Sequence, residues 1–131
     1  MDEITRLGGE PPSPYETQYG FSRTVAVGQF VLVGGTTSVD GASGVVLGET
    51  PYEQAVVVLG KLLAELTRLG CGVEQAVQLR AYVTDISRAD EVGRAFAEVF
   101  GVAKPLFTMV EVSALIDPRM QVEIELVAYR G

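Results

Sequence analysis

The chain has 131 residues, 47% hydrophobic and 21% charged, which fits one globular domain with one core over residues 1–131. Its net charge of −7 argues against partnership with nucleic-acid backbones and against docking on an anionic membrane surface. Histidine is absent and Cys71 is the single cysteine, which excludes an internal disulfide, a Ser-His-Asp or Cys-His arrangement, and the usual structural zinc sets.

Met1 to Glu10 holds three acids, one Arg and no apolar run, so it reads as neither signal peptide nor anchor. No segment approaches the ~20 apolar residues of a membrane span, and the expected location is cytoplasmic. Residues 10–20 (EPPSPYETQYG) read as an extended loop or arm. Arg23 to Gly35 gives two short strands about a Gly28-Gln29 turn, with Gly34-Gly35 permitting close backbone approach. Asp40-Gly41 and Ser43-Gly44 mark a further turn region.

Thr50-Pro51-Tyr52-Glu53 has the capping-box form and starts a helix whose apolar stripe is Ala55, Leu59, Leu62, Leu63, Leu66 and Leu69, stopped at Gly70. Val77 to Thr84 alternates as a strand. A second helix starts near Ser87, with Asp90 as its cap partner and Val92, Ala95, Phe96, Val99 and Phe100 as its buried stripe. Leu106–Ser113 and Val122–Tyr129 are two closing strands, separated by a turn at Asp117-Pro118. The order predicts an α+β fold with two helices on one sheet face.

That covered face takes Leu79, Ala81, Val83, Val110, Val112, Val122, Ile124 and Leu126. The opposite face then carries Arg80, Tyr82, Phe107, Met109, Glu111, Glu123, Glu125, Val127 and Tyr129. With both helices spent, the cover expected for this apolar-acidic face is another subunit. Its carboxylates, with Arg80 beside them, form either an ion pair that registers the subunits or a group poised to move a proton. Tyr82 and Tyr129 read as interface packing, Lys104 as a solvated turn residue and Cys71 as inert.

Three stretches carry a family resemblance: RAYVTD from Arg80 to Asp85, PLFTMVEV from Pro105 to Val112, and VEIELVA from Val122 to Ala128. Together they resemble the reactive-intermediate deaminase (Rid) proteins, also called YjgF-like, over about Phe21 to Tyr129. The resemblance implies a chorismate-mutase-like mixed sheet and a homotrimer with a central barrel and small-molecule clefts between subunits. It also implies hydrolysis of imines and enamines without metal or bound cofactor. Some members of that family bind ligands without chemistry, and an older ribonuclease label attaches to it.

Carried over position by position, the family's cleft glutamate falls on Glu123, the catalytic candidate. Its N-terminal tyrosine falls on Phe21. Its carboxylate-clamping arginine falls on Phe107, and the small residue two further on falls on Met109. A phenyl ring cannot make the bidentate carboxylate contact of a guanidinium, so the chain resembles a branch lacking that arginine. Arg23, two residues after Phe21, either brings a cation to the cleft from another side or is a strand-edge charge. Phe21, Arg23, Phe107, Met109 and Glu111 are the substrate-binding candidates. The expected function is imine or enamine deamination, with a non-catalytic binding or regulatory protein as the alternative.

Overall fold

The computed structural model describes residues 3–131. Met1 and Asp2, part of the stretch read as neither signal nor anchor, lie outside the described residues. The elements in chain order are β1 (Ile4–Leu7), α1 (Pro14–Tyr19), β2 (Thr24–Val27), β3 (Phe30–Thr36), α2 (Pro51–Arg68), β4 (Ala76–Val83), α3 (Ala89–Phe100), β5 (Leu106–Glu111) and β6 (Val122–Tyr129). One six-stranded mixed sheet takes the order β1-β2-β3-β6-β4-β5. β4 and β5 run parallel and the other neighbours antiparallel. No described helix is long and apolar enough to cross a membrane.

The core lies between the sheet and the pair α2 and α3. Thr50 caps α2 by accepting a hydrogen bond from the Glu53 N–H, and Pro51 occupies the first turn, where a missing N–H costs nothing. From α2, Val58, Leu59, Leu62 and Leu66 are fully buried. α3 adds Val92, Ala95 and Phe100, and the sheet adds Val31, Val33, Leu79, Ala81, Val122, Ile124 and Leu126. Each of the Val, Leu, Ile and Phe side chains among them contributes about 1.5–3 kcal/mol by leaving water. The parallel pairing of β4 and β5 requires a crossover, and α3 provides it.

Several expectations need correction. Residues 14–19 form a helix rather than an extended arm, because Ser13-Pro14-Tyr15-Glu16 repeats the capping box of Thr50-Pro51-Tyr52-Glu53. Ile4–Leu7, not read as structure from sequence, becomes the edge strand beside β2. α3 begins at Ala89 without a side-chain cap; the preceding single 3-10 turn, Ile86–Arg88, is capped by Asp85. Val77, which strict alternation puts on the covered face with Leu79, Ala81 and Val83, is exposed because the β4–β6 register slips between Ala76 and Gln78, turning Ala76 inward instead.

The largest correction concerns β5. Its partners across the parallel ladder are Leu79 for Phe107, Ala81 for Met109 and Val83 for Glu111. Phe107 and Met109 therefore share the helix side and pack on the core, and the Phe107 ring stacks on Phe96 of α3 at 3.9 Å and 2°. Val110, expected inside, is 43% exposed on the opposite face with Leu106. Leu62→Ala is expected to cost about 2–5 kcal/mol, read as a lowered urea midpoint at unchanged slope.

Candidate functional site

Val33 of β3 pairs with Leu126 and Thr36 with Ile124, so Gly34 and Gly35 together face Glu125 alone. This bulge removes side chains where Glu123 folds back onto β3. A Cβ on Gly35 would lie 2.8 Å from Glu123 Oε2 and 3.0 Å from its Cδ, closer than van der Waals contact allows. Gly35 thus leaves the space in which the carboxylate rests.

Arg23, at the entry to β2, braces the same corner. Its Nη1 donates to the Gly35 carbonyl at 3.0 Å and to Thr36 Oγ1 at 2.7 Å, and its Nη2 lies 3.5 Å from Glu16 Oε2. Glu16 in turn accepts the N–H groups of Gly9 at 2.8 Å and Ser13 at 2.9 Å. Burial pushes the Glu16 carboxyl up, but the Ser13 and Gly9 donors and the Arg23 charge outweigh it and hold it below its ordinary value. The chain of contacts ties α1 to the bulge.

α1, the bulge, β6 and the loop before β6 enclose a cleft of about 210 Å³. Tyr15, Tyr19, Phe21, Ile116 and Met120 form apolar walls, with Arg23, Gly35 and Glu123 at the polar end. Glu123 has no hydrogen bond or ion pair among the described residues. Burial raises its carboxyl above the ordinary value; Glu125 adds to the rise, while Arg23 opposes it.

The structure therefore brings together Phe21, Arg23 and Glu123. Phe107 and Met109 lie apart on the helix side of β5, and Glu111 accepts the Ile86 N–H at 3.0 Å, away from Glu123. The expected cluster of Glu111, Glu123 and Glu125 is not formed. Arg80 instead lies 3.6 Å from Glu125, which also accepts the Tyr82 hydroxyl at 2.8 Å. Sequence reasoning missed Tyr15, Tyr19, Ile116 and Met120. The first two were legible from the Ser13–Glu16 capping box, which predicts a helix there.

A second cleft, of about 310 Å³, lies behind Arg23 and is lined by Lys61, Asp40, Glu16 and Glu65. Lys61 Nζ donates to the Thr37 and Val39 carbonyls, each at 2.7 Å, and burial lowers its pKa to about 8. This lysine fastens α2 to the segment leaving β3, which also lines the first cleft through Thr37 and Val39. Among the described residues no group of three Asp, Glu or Cys side chains is arranged to hold a metal ion.

The raised Glu123 pKa has a signed effect on stability. The folded chain keeps that proton to higher pH than the unfolded chain, so on this account stability falls as pH climbs from 4.5 through the raised value. Glu123→Gln is expected to raise Tm near neutral pH, with the gain vanishing below the ordinary carboxylate value of 4.5. Differential scanning calorimetry across that range checks it.

Comparison with known proteins agrees with this architecture. The family model described as Endoribonuclease L-PSP matches residues 13–130. The protein SCO2049 of Streptomyces coelicolor is 38% identical over 120 residues, covering 91% of this chain and 88% of that one. PYRAB12510 of Pyrococcus abyssi, a RutC family protein, is 28% identical over 97% of this chain and 94% of its own. Among solved structures, Rv2704 of Mycobacterium tuberculosis, of the YjgF/YER057c/UK114 family, superposes with a TM-score of 0.86 at 38% identity, covering 97% of this chain and 99% of that one. With the family model spanning nearly all of the sequence and these relatives aligned end to end, the chain belongs to the Endoribonuclease L-PSP (YjgF/Rid) family.

Proposed function

We propose that this chain is a homotrimeric hydrolase that deaminates imines and enamines, with Glu123 as the group that activates water. The observation that carries the reading is Glu123 itself: a partly buried carboxylate with no partner among the described residues, its pKa raised, lining a cleft with Tyr15, Tyr19 and Phe21. A carboxylate raised toward neutrality can take a proton from water and return it within one turnover.

The step balances without a cofactor. Water oxygen bonds to the iminium carbon as the C=N π pair moves to nitrogen, and a water proton passes to Glu123. The resulting carbinolamine takes that proton back on nitrogen. The C–N bond then breaks as C=O forms, and the hydroxyl proton leaves with ammonia as ammonium. Phe21 and the two tyrosines would hold the substrate's apolar part, and Arg23 would keep the Glu123 corner in shape through Gly35 and Thr36.

The trimer is supported by the sheet face that α2 and α3 leave uncovered. Ile4, Phe30, Leu32, Leu106, Val110 and Tyr129 share that face and are all more than a third exposed. A run of this kind favours burial against a second copy. RNA cleavage has poorer support, since the chain carries net charge −7 and no histidine to serve as an acid-base pair.

Two measurements check the proposal. Imines generated in situ by amine or amino-acid oxidases should release ammonia faster with the protein than in buffer, and Glu123→Gln should lower that excess by about 10²–10⁴-fold. Gly35→Ala, by displacing the same carboxylate, should lose activity with little loss of fold. Sedimentation at micromolar concentration should give a trimer that Leu32→Asp dissociates; a well-folded wild-type monomer would refute the assembly.

A further inference from the structure

Arg23 is the one cationic side chain lining the Glu123 cleft, and its guanidinium is already engaged. Nη1 is shared between the Gly35 carbonyl and Thr36 Oγ1, and Nη2 faces Glu16. Releasing it to a ligand would strip the bulge of its brace and leave the buried Glu16 without its counter-charge. Arg119, on the loop that carries Ile116 and Met120, is held by Asp117 through Nε at 3.0 Å and Nη2 at 2.7 Å. Across the sheet, Arg80 is paired with Glu125. None of these guanidinium groups stands free to take a ligand carboxylate.

The charge in the cleft that lacks a partner is negative. Glu123 shares the cleft with Tyr15, Tyr19 and Phe21, and aromatic rings of this kind attract cations to their faces. A ligand that brings a positive charge supplies the missing counter-ion, whereas one that brings a carboxylate places a like charge beside Glu123 in a partly dry site. Resting on the hydrolase reading above, we infer that the cleft takes a carboxylate-free imine, as its iminium ion, carrying an aromatic or branched apolar group, in preference to a 2-imino acid. The iminium nitrogen lies toward Glu123, and the apolar group lies between Phe21, Tyr19, Ile116 and Met120. The reaction that feeds this site is then oxidation of a primary amine, and the product is an aldehyde or ketone with ammonium.

A matched pair of substrates tests this. Phenethylamine oxidised in situ by an amine oxidase gives an imine that differs from the one made from phenylalanine by an amino-acid oxidase in the carboxylate alone. The expected result is a kcat/KM for ammonia release at least about tenfold higher for the phenethylamine imine. Equal or better turnover of the phenylalanine imine overturns the inference while leaving the hydrolase reading intact. Turnover of neither above the buffer rate overturns the hydrolase reading, and titration calorimetry with the stable amines then decides the ligand class separately. Phenethylamine should bind at least about tenfold more tightly than phenylalanine, with the preference reduced in Glu123→Gln and binding weakened in Phe21→Ala. Phenylalanine binding as tightly as phenethylamine, or a preference unchanged in Glu123→Gln, overturns the inference.

Discussion

The interaction on which the rest of the site depends is the contact between the Glu123 carboxylate and the bare backbone of Gly35. A side chain on β6 can fold onto β3 here because two residues of β3 bulge opposite one, and because Gly35 has no Cβ. The carboxylate sits against a surface that offers it no hydrogen in exchange for the water it loses. Its charge is therefore costly, and its proton is held more firmly than by an ordinary carboxylate.

The surrounding charges serve this corner rather than compete for it. Arg23 spends its donors on the carbonyl and hydroxyl of the bulge and on Glu16, and Glu16 spends its oxygens on the N–H groups of Gly9 and Ser13. A short helix that would be marginal alone is thereby locked to the sheet by buried, charge-assisted bonds. It delivers Tyr15 and Tyr19 to the cleft wall. Lys61 does similar work from the other side by holding the Thr37 and Val39 carbonyls. Polar side chains build the frame, and aromatic and aliphatic ones line the rest of the cleft.

Family membership fixes the frame but not the substrate. Where the resemblance would put an arginine, this chain has Phe107, and the fold turns that ring away from Glu123 and stacks it on Phe96. The ring is partly buried and packs against the core beside α3. Within one chain the cleft beside Glu123 is walled instead by α1 and the loop before β6, through Tyr15, Tyr19, Ile116 and Met120.

Much of this was readable in the sequence by itself. Thr50-Pro51-Tyr52-Glu53 with its leucine stripe determined α2, Gly28 the turn between β2 and β3, and Gly34-Gly35 a place for close backbone approach, while the structure alone showed that Glu123 fills it. The same capping logic at Ser13-Pro14-Tyr15-Glu16 held α1, although the prolines around it read as a loop. The alternation along Leu106–Glu111 correctly grouped Phe107 with Met109 and set Val110 on the other face. Only the tertiary structure decided which group faces the helices. A period of two says which residues share a face and is silent on which face is buried, since a slip of one residue exchanges them. The parallel ladder to β4 and the Phe96 ring settle that choice, and both are contacts between residues far apart in the chain.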